Sequence, residues 1–139
     1  MILHKMTVEN FRQFRGKHVL EFVTPSRDEA NVTVVFGENG RGKTGLFRAI
    51  MFCLFGERRL IQDGDVPHEE LQLVNVSALT ENPGLPVRTV VELEFTHREQ
   101  TYRLRRAIFG MLDGNKVIEE EDEKRLFVAT GAGNTQPVP

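Results

Sequence analysis

From Ile2 to Glu9 the chain alternates, Ile2, His4, Met6 and Val8 against Leu3, Lys5, Thr7 and Glu9. This predicts a half-buried strand with the first set toward the core. After Gly16-Lys17, a second run from His18 to Val23 carries Val19, Leu20, Phe22 and Val23, so the two runs predict a hairpin with Asn10 to Gly16 at its loop. Turn residues and charge from Thr24 to Ala30 lead to Val32-Thr33-Val34-Val35-Phe36. A run so nearly continuous in apolar residues predicts a central strand buried on both faces. Further on, Leu46, Phe47, Ile50, Met51 and Leu54 recur at helical spacing before Gly56, which predicts a helix from about Lys43 to Phe55 with a glycine cap. The pattern weakens from Glu57 to Pro86, where Asp63-Gly64-Asp65, Pro67 and Asn82-Pro83-Gly84 mark irregular chain around a candidate strand at Leu71 to Ala78. Alternation at Arg88 to Phe95 and again at Thr101 to Phe109 predicts an antiparallel hairpin across His97 to Gln100. Asp113-Gly114 suits a further tight turn, Val117-Ile118 a short third strand, Glu119 to Glu123 a solvated acidic stretch, and Gly131 to Pro139 a loop.

Composition narrows the class. At 139 residues the chain is one domain or a part of one, and 40% hydrophobic with 27% charged residues is the balance of a soluble globular protein. No segment approaches the ~18 apolar residues of a membrane span, and the N-terminus passes straight into alternation without a secretion signal. The single cysteine, Cys53, sits within the apolar helical run and is expected to be buried packing, which fits a reducing cytoplasm. A net charge of −2 gives no whole-chain attraction to nucleic acid. Arg58-Arg59 and Arg103-Leu-Arg-Arg106 read as solvated charge before they read as phosphate contacts. His4, His18, His68 and His97 have no metal-ligand spacing, so no zinc site is expected.

Chemistry concentrates in Gly37-Glu-Asn-Gly-Arg-Gly-Lys-Thr44, which satisfies G-x-x-x-x-G-K-[ST] between a predicted strand and a predicted helix. Gly37, Gly40 and Gly42 are expected to let the backbone turn with positive φ and aim its N–H groups, with the helix N-terminus, at phosphate oxygens. Lys43 then reaches the β and γ phosphates, and the Thr44 hydroxyl ligates Mg²⁺. The expected ligand is ATP with Mg²⁺. No run of four apolar residues ending in Asp or Glu follows, so the carboxylate that would activate water is absent from view: Val90-Val-Glu-Leu-Glu94 alternates, and Val117-Ile-Glu119 is too short. Hydrolysis by this chain alone is not expected.

The order strand, Asn10-Phe-Arg-Gln-Phe14, strand, Gly37-x-Asn39-Gly40-x-Gly42-Lys43-Thr44 resembles the N-terminal head segment of SMC, RecF and related ABC-type ATPases of DNA maintenance. Within that group, Met1-Ile-Leu-His-Lys5, Asn10 to Phe14 and the run into the loop look most like DndD, the ATPase family of bacterial DNA phosphorothioation. The resemblance implies an α/β fold, the N-terminal lobe of a P-loop ATPase head, with a P-loop core at about 1–56, an antiparallel β portion at about 87–130 and a tail at 131–139. It implies that the signature and Walker B motifs lie in a C-terminal half beyond a coiled coil, that ATP is held between two heads, and that DNA and other proteins of a modification system are partners of the intact ATPase. It also implies nucleotide contacts from Arg12 and Gln13, added to Gly37, Asn39, Gly40, Arg41, Gly42, Lys43, Thr44 and Gly45. Gly45 departs from the Ser or Thr common there and leaves only its backbone N–H for the α-phosphate. Gln136 is the one late candidate for a Q-loop glutamine. Two other readings stay open: a nucleotide-dependent assembly or regulatory module without hydrolysis, and a P-loop kinase, against which the long antiparallel segment argues.

Overall fold

A computed structural model describes residues 1–22, 32–67, 70–129 and 135–138. Its frame is one antiparallel sheet of six strands, β1 (Ile2–Phe11), β2 (Phe14–Glu21), β3 (Val87–His97), β4 (Gln100–Asp113), β5 (Lys116–Ala129) and β6 (Thr135–Pro137), in the order β2-β1-β3-β4-β5-β6. The two predicted hairpins are therefore neighbours in a single sheet, joined where Met6 pairs with Leu93 and Val8 with Val91. These four side chains lie on one face, and helix α1 (Lys43–Phe55) packs there. Phe52 and Cys53 descend between Phe11, Val91, Leu93 and Ile108 to form the main core. The Phe11 and Phe52 ring centroids are 6.0 Å apart, and burying an aromatic ring of this kind contributes about 1.5–3 kcal/mol.

Both ends of α1 fall where local chemistry puts them. Gly56 takes the left-handed conformation (φ 78°) and returns its N–H to Phe52 O at 2.8 Å, ending the helix. Arg106 lies under the last turn, its Nε donating to Cys53 O at 3.4 Å and its guanidinium 5.6 Å from the Phe52 ring, so a cation faces the negative end of the helix. The buried face is Gly45, Arg48, Ala49, Phe52 and Cys53, while Phe47 and Phe55 are exposed. An apolar run this continuous does not declare which side packs. Arg48 is buried in a bidentate pair, Nη1 2.7 Å from Asp63 Oδ2 and Nη2 2.6 Å from Oδ1, and Asp63 also accepts from Leu60 N–H at 2.6 Å. A charge can stay inside because every lone pair facing it is matched.

Several expectations change. Val32–Phe36 forms no strand: Val34 is 63% exposed and Phe36 90%. A strand needs a neighbour for its backbone groups, and among the described residues this run lies in none of the ladders of the six-stranded sheet. Leu71 to Ala78 is not a strand either. Val74 makes one bridge to Phe11, and Asn75 then caps a short helix, α2 (Val76–Glu81), by accepting from Ala78 N–H at 2.8 Å. The third strand runs on through the acidic stretch to Ala129, because the arginines of β3 and β4 face it: Arg88 bonds Asp122 at 2.7 Å and Glu123 at 2.6 Å. Glu119 is drawn inside, its side chain 6% exposed. Of the basic stretch, Arg103 and Arg105 face Glu92 at 3.9 and 3.8 Å, and Arg106 is buried on the helix face. The turn of the last hairpin is Gly114-Asn115, one residue beyond its expected place, and the tail contributes β6 instead of a plain loop. Val23, the turn from Thr24 to Ala30, His68, residues 131–134 and Pro139 lie outside the described residues. Among the described residues, no helix is long and apolar enough to cross a membrane.

Two outcomes follow from the core. The Arg48 hydrogen bonds outweigh an opposing desolvation and, with the Leu60 N–H, hold the Asp63 carboxyl down from 3.8 to about 2. Its stabilising effect is complete above about pH 4 and is lost as the pH falls toward 2. Asp63→Asn should lose about 3 kcal/mol at neutral pH, the low end for orphaning a buried charge, and denaturant midpoints should converge with wild type below about pH 4. Cys53 is fully buried, and desolvation pushes its thiol up to about 12. It should resist alkylation at pH 8 in the folded chain and react at once in denaturant; equal rates in both states would show that the helix is not seated.

Candidate functional site

Helix α1 opens on Gly42, held at φ 107° and ψ 0°, a conformation L side chains rarely adopt. Among the described residues no side chain caps this end, and no acidic residue stands in its first turn. The first bond of the helical ladder runs from Leu46 N–H to Gly42 O at 2.9 Å. The N–H groups of Lys43, Thr44 and Gly45 therefore precede the ladder, at the positive end of the helix dipole. Gly40 (φ 82°) makes the turn before them, whereas Gly37, expected to share it, has no positive φ. The loop from Gly37 to Arg41 is exposed, with Arg41 3.5 Å from Glu38 and Asn39 beside Gly40 at the tip. Lys43 folds back across this loop, Nζ donating to Gly37 O and to Glu38 O, the latter at 3.0 Å. Thr44 is exposed.

The turn between β1 and β2 is only Arg12-Gln13, tighter than the expected seven-residue loop. Asn10 and Arg12 both have positive φ, 49° and 52°, and a net of bonds fixes them. Arg12 N–H donates to Leu73 O at 2.6 Å, Arg12 Nη1 to Gln72 O at 2.8 Å, and Asn75 Nδ2 to Arg12 O at 2.6 Å. Asn10 accepts from Gly16 N–H at 2.9 Å through its side chain and from Thr89 Oγ1 at 2.9 Å through its carbonyl. The segment that receives Arg12 is pinned in turn by Glu119, whose Oε1 accepts from Leu73 and Val74 N–H at 2.7 Å each while Oε2 pairs with Arg58.

The two residues of the turn part company. Gln13 lies on the start of α1: a Cβ placed on Gly45 would stand 2.4 Å from Gln13 Nε2, and one placed on Gly42 would stand 3.0 Å from Nε2 and from Phe14 Cζ. Arg12 joins the 72–75 segment, and both Arg12 and Gln13 border an open cleft of about 540 Å³ that also includes Gln72, Asn75 and Ser77. Burial and the neighbouring Arg48 lower the Arg12 pKa, while Asp63 and Glu119 act to raise it. Sequence reasoning missed Phe14, Asn10, Asn75 and Glu119 as the groups that place the turn. Asn10 and Asn75 carried a signal, since asparagine tolerates left-handed backbone and caps helices; a glutamate buried by two backbone N–H groups carries none.

The residues present suit a polyphosphate with a divalent cation. Three N–H groups precede the ladder without a side-chain cap, a lysine spans the loop and a hydroxyl is exposed in the first turn. The chain matches the AAA domain family over residues 5–132. It is 27% identical over 99 residues to the DNA replication and repair protein RecF of a Synechococcus species, covering 70% of this chain and 24% of that protein. It is 30% identical over 108 residues to the DNA double-strand break repair Rad50 ATPase of Thermoplasma acidophilum, covering 78% and 10%. It is 39% identical over 56 residues to the structural maintenance of chromosomes protein 1 of Caenorhabditis elegans, covering 40% and 4%. The chain thus spans a minor part of each relative's length.

Proposed function

The chain belongs to the AAA domain family through residues 5–132, and from that membership and its glycine loop we propose that it binds ATP with Mg²⁺ as the N-terminal part of an SMC-, RecF- and Rad50-like ATPase head. The observation that carries the reading is the uncapped start of α1, where a loop of the sequence G-x-x-x-x-G-K-T meets three N–H groups that precede the helical ladder. Those N–H groups and Lys43 bind the phosphates, Lys43 exchanging its two carbonyl acceptors for phosphate oxygens, and Thr44 holds the Mg²⁺ that offsets the phosphate charge. Gly37, Asn39, Gly40 and Arg41 shape the loop. Arg12 and Gln13 approach from the β1–β2 turn.

Binding is not turnover. Phosphoryl transfer depends on positioning and on charge stabilisation in the transition state, and this reading assigns the water-activating carboxylate and the signature motif to a C-terminal half. The exposed Val32, Val34, Val35 and Phe36 beside the loop support a missing partner, since an apolar row of that length is ordinarily covered. For the whole protein the proposal is ATP-driven engagement of two heads on DNA in repair or chromosome maintenance, the processes named for the relatives RecF, Rad50 and SMC1. The finer proposal of DNA phosphorothioation, as in DndD, rests only on Met1 to Lys5, Asn10 to Phe14 and the run into the loop.

Lys43→Ala should abolish ATP·Mg²⁺ binding by calorimetric titration and leave the melting temperature within about 1 °C, since among the described residues Lys43 bonds its own loop alone. Unchanged affinity in the folded variant would remove the phosphate-loop assignment. The 139-residue chain should bind ATP and release phosphate no faster than background until a C-terminal half is added. Robust turnover by the chain alone, lost in Lys43→Ala, would show that the catalytic groups lie within it.

A further inference from the structure

Of the chain's asparagines, Asn39 alone is followed by glycine. The pair stands at the exposed tip of the loop before α1, and among the described residues no hydrogen bond holds the Asn39 carboxamide or the Gly40 N–H. Gly40 has no Cβ to shield its nitrogen, and one built there would meet nothing within 4 Å, so a ring closing between the two residues has room. Arg41, Lys43 and the positive end of the α1 dipole follow along the chain and favour loss of a proton from the Gly40 N–H. The other described asparagines lack this set of features. The carboxamides of Asn10 and Asn75 are bonded through both oxygen and nitrogen. Asn82 donates to Ala78 O at 2.8 Å and precedes a proline, which has no N–H. Asn115 precedes Lys116, which carries a side chain and stands in the β4–β5 ladder opposite Asp113.

We propose that Asn39-Gly40 is a site of spontaneous deamidation that disables the phosphate loop, and that bound nucleotide protects it. The Gly40 nitrogen attacks Asn39 Cγ: the N–Cγ bond forms, the Cγ–Nδ2 bond breaks, and the Gly40 proton leaves with Nδ2 as ammonia, giving a succinimide. Water then adds to one of the two ring carbonyl carbons. Opening the new N–Cγ bond gives aspartate, and opening the original peptide bond gives isoaspartate, in which the main chain runs through Cγ. The net change consumes one water and releases one ammonia, with no oxidant or reductant. Either product sets a carboxylate in a loop that is to hold phosphate oxygens, where like charges repel. Isoaspartate also lengthens the backbone ahead of the N–H groups of Lys43, Thr44 and Gly45. The loss of binding rests on the reading of this loop as an ATP site, whereas the reaction at Asn39 does not. A nucleotide held by the loop fixes the Gly40 segment around phosphate and keeps its nitrogen from Cγ, so converted chains accumulate only from time spent empty.

The test is incubation of the 139-residue chain at neutral pH, empty or with ATP·Mg²⁺, followed by peptide mapping by mass spectrometry and calorimetric titration. In the empty chain Asn39 should convert well ahead of Asn115, the exposed asparagine that serves as internal control. ATP·Mg²⁺ at about ten times its Kd should slow conversion about tenfold, following the fraction of chains left empty. Converted chains, separated by ion exchange, should bind ATP·Mg²⁺ more weakly by at least about tenfold, with an unchanged melting curve. Asn39→Asp should show that loss without incubation. Asn39→Gln, whose longer side chain closes the ring far more slowly, should keep its own starting affinity throughout. Conversion at Asn39 no faster than at Asn115, converted chains that bind as well as fresh ones, or equal rates with and without ATP·Mg²⁺ in a chain that binds it overturns the proposal. If the fresh chain binds no ATP, the site reading falls and the switch with it, while the peptide map still decides the reaction at Asn39.

Discussion

The first turn of α1 has N–H groups ahead of its ladder and no side-chain cap, and the rest of the molecule is organised around keeping that turn in place. A helix end of this kind is costly unless water or a ligand satisfies it. It must therefore stand at the surface while the body of the helix is buried, and α1 meets both demands by lying along the sheet with Phe52 and Cys53 inside and Thr44 outside. The apolar core fixes the helix against sliding. Charged groups fix the chain around it, with Asp63 on Arg48 at the middle of the helix and Arg106 at its end.

A second set of bonds carries the same order to the opposite wall of the site. Glu119 of β5 ties Leu73 and Val74, that segment ties Arg12, and the Arg12-Gln13 turn then touches α1. Arg58 pairs with the same carboxylate, and its carbonyl accepts from Arg48, so the route closes on the helix where it began. The start of α1 and the turn that lies against it are thereby each referred to the same sheet. Little of this arrangement depends on the loop from Gly37 to Arg41, which is exposed.

Most of the helix was legible in sequence, because its limits are written locally: Gly42 before it and Gly56 after it set both ends at Lys43 and Phe55. Hairpins were legible for the same reason, as alternation and turn residues are short-range signals. Val32 to Phe36 was misread because strand formation is a property of a pair, and an apolar run does not say whether a neighbour exists. The acidic stretch misled in the opposite direction: Glu119 to Glu123 reads as solvent-facing until the arginines across the sheet are known. Of the site, the glycine loop was visible as a motif, and Arg12 and Gln13 only by resemblance. No local rule links residue 13 to residue 45, so the steric fit between them emerges only once the hairpin lies over the helix.

The seam between β1 and β3 bears on how the molecule comes together in time. His4 bonds Thr96 across it at 2.7 Å, a contact between residues 92 positions apart, whereas β3, β4 and β5 follow one another through two-residue turns. Local hairpins close in microseconds, and long loops close later because their entropy is recovered only after the distant strand is met. The meander of β3 to β5 and the β1–β2 hairpin are therefore expected to form before the seam that joins them. Since α1 rests on residues from both sides of it, the core beneath the helix is complete only when the seam has formed. An intermediate in which the two hairpins had formed but not met would therefore lack the completed seat of α1.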